Sequence, residues 1–558
     1  MYNLLIGGAA GQGVDTTAAI LEKLLKRSGY NVFTARDFMS RIRGGHNFSL
    51  IRFGTEALFS HSSRLDAIIA LNDETVELHK DKLNPEGFIL CDKKLTTDDP
   101  RAIKIDMDAM AAALGNQRTS GSVAVGAVLR LFGENLEFVE DVMKSFIKEN
   151  YLEVNLKAVK AGYDVVERRF EHHEGGFGDW MILSGSKAMS LGALAAGLKF
   201  YSAYPMSPST TLMEYLASKS DEAGIVVEQA EDEIAAINMA IGASFAGVRA
   251  MTGTSGGGFS LMVEALGLSG MAEIPLVVVD VQRPGPVTGL PTRTEQSDLK
   301  FVISASQGEF PRMVIAVRNH TDAFYQTVRA FNLAEKYQIP IILLSDQYLG
   351  DASATVKPFD VSGIEITGPA AAKDGEEEYL RYRFTEDGIS PRLIPGKSRN
   401  FVTADSDEHD ERGWITESSE MRINMMDKRM KKLEKLKREL QEPEFLGSEA
   451  FDTLFVGWGS TYGPIAEAVK LLNEKGGKYA ALVFGDVYPL PQKLLKETAP
   501  RAGRIINIEQ NATGQLGDLI REQTGIACTG SILKYDGRQL SGEEIAERIM
   551  GGVSGHGR

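Results

Sequence analysis

Short apolar runs alternate with glycine turns and amphipathic stretches along most of the chain. The first such run, residues 2–6, passes through a glycine turn into an amphipathic stretch at about 16–27. Strand, glycine turn and helix in that order predict a doubly wound α/β domain. Further strands are expected at 67–71 and 88–91, and residues 171–179 form a charged, glycine-rich connector. This first domain is placed at residues 1–172.

A second α/β segment is placed at 180–351, with strands expected at 225–227, 275–281, 312–316 and 339–345. Such continuous apolar runs suit strands of a parallel sheet covered on both faces. Over 352–446 the periodicity fades, through Asp374-Gly375-Glu376-Glu377-Glu378 to a highly charged stretch at 422–440. That part is read as an irregular excursion ending in a solvated helix. Regular alternation returns over 447–558, with strands expected at 453–456, 480–484 and 504–508. The expected fold class is therefore α/β, with three α/β domains and one excursion.

Composition narrows the function classes. At 558 residues the chain should hold three or four domains of roughly 150 residues each. Hydrophobic content of 43% and charged content of 25% are ordinary for a soluble globular protein. A formal net charge of -15 gives no electrostatic support to a nucleic-acid role. Two cysteines, Cys91 and Cys528, exclude a disulfide framework and any Cys-x-x-Cys cluster in this sequence. No apolar run is long enough for a bilayer and the start does not read as a signal peptide, so a cytoplasmic location is expected.

Several motifs carry candidate chemistry, and each also has a purely structural reading. Gly7-Gly8-Ala9-Ala10-Gly11-Gln12-Gly13 lies between the first strand and helix, where backbone amides can approach an anion. Its spacing is not a dinucleotide fingerprint, and no acidic residue is seen closing a second strand at the offset such a site needs. Ser40-Arg41-Ile42-Arg43-Gly44-Gly45-His46 offers paired donors for phosphate or carboxylate, or is a surface loop. His46 reads as a solitary hydrogen-bonded histidine.

Tyr204-Pro205-Met206-Ser207-Pro208-Ser209-Thr210 follows a strand-like stretch, and α/β sheets bind ligands at such carboxyl ends. A rigid turn and helix cap is the alternative. Glu228-Gln229-Ala230-Glu231-Asp232-Glu233 opens a helix whose acids either complement the helix dipole or, for Glu233 beside its Ala and Gly neighbours, become buried. Thr252-Gly253-Thr254-Ser255-Gly256-Gly257-Gly258 could cradle an anion or a flat ring. Arg283 sits among rigid turns in Gln282-Arg283-Pro284-Gly285-Pro286. Asp407-Glu408-His409-Asp410-Glu411 lacks metal-site spacing and reads as a solvated charge run.

In combination and in order, these motifs resemble the 2-oxoacid:ferredoxin oxidoreductase family, specifically its 2-oxoglutarate-type (2-oxoglutarate synthase) α subunits with a fused N-terminal γ domain. Gly11-Gln12-Gly13 and Arg43-Gly44-Gly45 are similar to the γ domain, and Tyr204 to Thr210, Glu233, Thr254-Ser255-Gly256 and Gly289-Leu290-Pro291-Thr292 to the thiamine-pyrimidine-binding domain. Gly388-Ile389-Ser390-Pro391-Arg392 and Asp407-Glu408-His409 resemble a stretch of the 2-oxoglutarate-type subunits. Gly457-Trp458-Gly459-Ser460 and Glu509-Gln510-Asn511-Ala512-Thr513-Gly514-Gln515 resemble its transketolase C-terminal-like domain.

The resemblance implies oxidative decarboxylation of a 2-oxoacid to its acyl-CoA and carbon dioxide, or the reverse carboxylation. Thiamine diphosphate and coenzyme A take part, and ferredoxin is the electron partner. It also implies a β subunit, in a dimer of αβ pairs, holding Mg2+ with the diphosphate and a [4Fe-4S] cluster. This sequence has no Gly-Asp-Gly segment followed at about thirty residues by Asn to hold the diphosphate itself, nor enough cysteines for a cluster. By position, Glu233 matches the glutamate on the aminopyrimidine nitrogen and Arg283 the arginine on the substrate carboxylate. Tyr204, Pro205, Thr254 and Ser255 fall at cofactor-binding positions, Ser207 and Thr292 at substrate positions. Gly11, Gly13 and Arg43 are candidate coenzyme A contacts. Ser207 and Met206 stand where the family motif usually has threonine and isoleucine, so the hydroxyl is kept and only its stiff placement is lost. Pyruvate, branched-chain or arylpyruvate substrates, and a non-catalytic nucleotide-binding or scaffold subunit, are the alternatives.

Overall fold

The protein is described here by a computed structural model, which describes residues 1–40, 44–373, 375 and 378–552. It forms two compact units. One comprises the described residues of Met1–Ser184, Ala352–Pro358 and Ser541–Glu544, the other those of Gly185–Asp351, Phe359–Leu540 and Ile545–Arg558.

The first unit is built on an eight-stranded mixed sheet. Its order is Ala102–Ile105, Leu83–Asp92, Leu65–Ala70, Tyr2–Ala10, Gly44–Gly54, Asn31–Asp37, Ser353–Val356 and Met181–Ser184. The first four run parallel, and the later neighbours pair antiparallel. The apolar face of the Val14–Arg27 helix buries Ala18, Leu21 and Leu25 in the core of this unit.

Two sheets make up the second unit. The larger runs Asp486–Tyr488, Met313–Ala316, Pro340–Asp346, Leu276–Gln282, Ala250–Thr254, Phe200–Ala203 and Val226–Gln229, parallel except at Asp486–Tyr488. Val277, Val278 and Val279 in its middle strand, like Ile341, Ile342 and Leu343 beside them, are fully buried. That two-sided burial is why these segments read as unbroken apolar runs. The smaller sheet orders Glu444–Gly447, Tyr479–Phe484, Thr453–Trp458, Arg504–Glu509 and Gly530–Leu533. One apolar cluster, including Leu276, Val278, Leu454, Val456 and Leu482, joins the two sheets.

The fold class is α/β, with one sheet for each of the three α/β segments expected, the first mixed and the other two mostly parallel, although two of those sheets share one compact unit. Several details differ from the sequence reading. Met181–Ser184, expected to open the second domain, is an edge strand of the first sheet, paired with Ser353–Val356 from the expected excursion. Neither four-residue strand carries a long enough pattern to reveal partners so distant in sequence. The second strand of the chain, Asn31–Asp37, does end in an acid, but it pairs antiparallel with Gly44–Gly54, which is not a dinucleotide-site arrangement.

The largest difference is the charged helix, observed at Ser419–Leu436, which is not simply solvated. Lys428, Arg429 and Lys432 are buried along with Met425, Leu433 and Leu436. Nor is the 407–411 run a solvated one throughout. His409 is fully buried with its ring 4.0 Å from that of Tyr382, and Arg429 holds Glu408. Between Val356 and Ser419 the described residues form turns and isolated bridges only.

Candidate active site

The parallel strands of the seven-stranded sheet bring their carboxyl ends to one edge, where α/β sheets place ligands. Phe200–Ala203 leads into Tyr204, Ala250–Thr254 into Ser255, and Leu276–Gln282 into Arg283. Val226–Gln229 leads to the Glu233–Phe245 helix, whose N-cap Asp232 accepts the Ala235 N–H at 2.7 Å.

Glu233 is the first residue of that helix. Its side chain is 3% exposed, and Oε1 has no hydrogen-bond partner. Opposite stands the Gly256–Met271 helix, with Ser255 as an N-cap that makes no side-chain capping bond. A Cβ on Gly258 would collide with Thr254 Oγ1 and lie 2.5 Å from Glu233 Oε1. The missing side chain thus seats the Glu233 carboxyl and the Thr254 hydroxyl against the same helical turn. The hydroxyls of Thr252 and Ser255 are also buried without partners. Buried polar atoms are nearly always satisfied, so this concentration of unsatisfied ones marks a place where a polar ligand belongs.

Arg283 is 8% exposed, donates from Nη1 to the Ser207 carbonyl at 2.5 Å, and leaves Nε without a partner. Burial lowers its pKa from the ordinary value, and Asp298 opposes the shift. The backbone of Ser207 therefore meets Arg283, whereas the Ser207 side chain is exposed. Tyr204 is exposed, and Pro205 and Thr292 are half-buried.

Three acids that the sequence reading gave no role also lie here. Asp280 pairs in register with Thr254, is fully buried, and has neither oxygen hydrogen-bonded. Burial and then Asp298 push its carboxyl well above the usual range. Burial likewise pushes Asp298 up to about 6, against the pull of Arg283. Glu295 is raised to about 7 by burial, with Asp298 and Asp536 adding to it. An aspartate ending the apolar run Leu276-Val277-Val278-Val279 was the available signal for Asp280; Asp298 and Glu295 had none, because loop residues show no periodicity.

Glu233, Thr254 and Ser255 come together, and Arg283 joins Ser207 through its backbone. Gly11 and Gly13 adopt φ of 93° and 82°, Gly13 being the N-cap of the Val14–Arg27 helix. Gln12 Oε1 folds back onto the Ala9 N–H at 2.7 Å. Arg43 lies outside the described residues. His46 is not solitary, since its Nε2 lies 2.8 Å from Nε2 of buried His79. Among the described residues no group of three or more His, Cys, Asp or Glu forms a metal site, and no described helix is long and apolar enough to cross a membrane.

Comparison with known proteins identifies two family regions. Residues 191–428 match the thiamine-diphosphate-binding domain of pyruvate flavodoxin/ferredoxin oxidoreductases, and residues 3–165 match the pyruvate ferredoxin/flavodoxin oxidoreductase domain. The α subunit of a 2-oxoacid:ferredoxin oxidoreductase from a Sulfolobus species is 33% identical over 98% of this chain and 96% of its own. The 2-oxoglutarate synthase subunit KorA of Methanothermobacter thermautotrophicus is 33% identical over 66% of this chain and 98% of its own. Among solved structures, the 2-oxoglutarate:ferredoxin oxidoreductase of Magnetococcus marinus, with 2-oxoglutarate, coenzyme A and succinyl-CoA bound, superposes with a TM-score of 0.93. It is 33% identical and covers 99% of both chains.

Proposed function

Because the chain belongs to the thiamine-diphosphate-dependent 2-oxoacid:ferredoxin oxidoreductase family, as an α subunit, we propose that its strand-end cluster activates that cofactor for coenzyme A-dependent oxidative decarboxylation of 2-oxoglutarate. The observation that carries this reading is the buried, unpartnered Glu233 Oε1 held against Gly258 and Thr254. A carboxyl kept from water in that way needs a hydrogen-bonding partner, and an aminopyrimidine nitrogen is one.

When bound, thiamine diphosphate supplies the carbanion and electron-sink chemistry that amino acids lack. Glu233 holds or returns a proton at the pyrimidine nitrogen. Thr254 and Ser255 bring hydroxyls, and Tyr204 and Pro205 form a wall of the same strand end. Arg283 turns its unused Nε toward the 2-oxoacid carboxylate, a planar group that suits paired donors. Ser207 and Thr292 flank the substrate. In the first unit, the backbone amides around Gly11 and Gly13 approach coenzyme A phosphates, together with Arg43.

A partner β subunit completes the site in this reading, supplying Mg2+ for the diphosphate and a [4Fe-4S] cluster that passes electrons to ferredoxin. Two cysteines in 558 residues cannot ligate such a cluster. The helices that build the site are apolar on nearly every face yet leave Ile234, Met239 and Leu261 exposed. Exposed apolar side chains on such helices favour a covering partner.

The 2-oxoglutarate assignment is supported by the KorA relative and by the ligands of the Magnetococcus marinus enzyme. The test is coenzyme A-dependent reduction of a one-electron acceptor by the chain co-produced with its β subunit, comparing 2-oxoglutarate with pyruvate. Preference for 2-oxoglutarate is expected; preference for pyruvate or a branched-chain or aryl oxoacid overturns the substrate, and inactivity with every oxoacid favours a non-catalytic subunit.

A further inference from the structure

Behind Arg283 lies a pair of buried carboxyls. Asp280 and Gln282 sit two residues apart on one strand, so their side chains share a face of the sheet. Gln282 is pinned at both ends of its amide: Nε2 donates to the Ser345 carbonyl at 2.9 Å, and Oε1 accepts the Asp298 N–H at 3.0 Å. Asp298 is thereby fixed at the end of the strand that carries Asp280 and Arg283. On its other side, Gly256 leaves it room, because a Cβ there would stand 2.5 Å from Asp298 Oδ2. Neither Asp280 oxygen, nor Asp298 Oδ2, has a hydrogen-bond partner.

The charges facing Asp298 are few. Arg283 attracts it, Asp280 and Glu295 are both raised by it and so held toward their neutral forms, and Asp536 lies beyond Glu295. Lys300, two residues on, turns to Asp518 at 2.5 Å, and the facing turn of the Gly256–Met271 helix brings glycines, with Glu233 behind Gly258. One guanidinium therefore stands near Asp298, whose own neighbour Asp280 is buried, and can balance one negative charge. A substrate carboxylate arriving on Arg283 would be a second, and an unbalanced buried charge is the costliest outcome.

We infer that Asp298, backed by Asp280, is a positioning residue that balances Arg283 before substrate binds, and that the incoming carboxylate drives one proton from solvent onto the aspartate pair. No covalent bond to carbon changes in this step; one carboxylate replaces another as the partner of Arg283. The inference rests on the proposed role of Arg283.

The experiment uses the enzyme assembled with its β subunit and 2-hydroxyglutarate, which keeps the carboxylates but has no ketone, as a competitive inhibitor. In the wild type its inhibition constant should rise by about tenfold per pH unit above about pH 6, as Asp298 ionises and competes for Arg283. Asp298→Asn should flatten the profile and tighten inhibition at pH 8 by about tenfold or more, and Asp298→Glu should restore the slope. Asp280→Asn replaces an acid that is already protonated in this range and should leave the onset where it is. A flat wild-type profile, a lost slope in Asp280→Asn, or a wild-type slope in Asp298→Asn overturns the inference. If Arg283→Lys leaves the inhibition constant unchanged, the carboxylate role of Arg283 fails instead.

Discussion

Gly258 and Glu233 meet with no room for a methyl group between them: a Cβ on the glycine would stand 2.5 Å from the Glu233 Oε1. The helix turn and the carboxyl are therefore positioned by contact rather than by a hydrogen bond. Gly258→Ala must move one of them by a substantial fraction of an ångström, and displacements of about 1 Å at a reacting centre cost about a hundredfold in rate. Gly258→Ala is expected to lower kcat by about that factor while the variant still co-purifies with its β subunit. Near-normal turnover would show that the Glu233 carboxyl is not placed by this contact.

Glu233 and its neighbour Asp232 separate chemistry from helix capping. Asp232 accepts the Ala235 N–H, so Asp232→Ala should cost about 1 kcal/mol of stability with turnover largely kept. Glu233→Gln keeps the size of the buried group but exchanges its proton-holding oxygen, and should abolish decarboxylation with little change in the urea-unfolding midpoint. Equal activity in Glu233→Gln and wild type would remove the proton-holding role.

Much of this was legible because local pattern and burial agree. The Leu276–Gln282 and Pro340–Asp346 strands announce themselves as apolar runs, since both of their faces are covered. Glu233 stood out as an acid opening a helix of Ala, Ile and Gly, a composition that implies close packing. Lys428 and Lys432 were misread because a helix dense in charge looks solvated, and the acid that buries them, Glu273, lies some 155 residues earlier in the chain. Asp298 was silent for a related reason: its setting is made by Gly256, Gln282 and Arg283, brought together only by the sheet.

Gln296 ties the loop beyond Arg283 to the smaller sheet of the same unit. Fully buried, it donates from Nε2 to the Trp458 carbonyl at 2.8 Å and accepts the Gln510 N–H on Oε1 at 3.2 Å. Its backbone N–H reaches the Gln510 carbonyl at 2.7 Å, and Asn511 donates to its carbonyl at 3.0 Å. Gln296→Leu keeps the backbone bonds but orphans the buried Gln510 N–H, at a cost of about 1–3 kcal/mol, while the Trp458 carbonyl keeps its bond from the Thr461 hydroxyl. The variant should unfold at a clearly lower urea concentration; an unchanged midpoint would mean that water replaces the amide.

Glu273 ends the Gly256–Met271 helix region with a φ of 51° and anchors its fully buried carboxylate between two ammoniums. Lys428 Nζ lies 2.5 Å from Oε1 and Lys432 Nζ 2.5 Å from Oε2, from successive turns of one helix. Burial opposes ionisation of Glu273, but Lys428, Lys432 and Arg381 hold its carboxyl well below the ordinary 4.5. Burial drives Lys432 down to about 7, against the pull of Glu273. One acid thus faces more positive charge than it can balance. Glu273→Gln leaves buried ammoniums unpaired and should cost about 3–5 kcal/mol, whereas Lys432→Met keeps the Glu273–Lys428 pair and should be neutral or stabilising at pH 7. The pH dependence has opposite origins at the two groups. The stabilisation from Glu273 is complete above its ordinary 4.5 and is lost as pH falls below it. Between about 7 and 10.5 the unfolded chain keeps the Lys432 proton that the folded one releases, so stability rises with pH there. Urea-unfolding midpoints at pH 7 and pH 9 should therefore rise in the wild type and lose that rise in Lys432→Met. A Lys432→Met variant destabilised as much as Glu273→Gln would instead make both lysines equal and necessary partners of the acid.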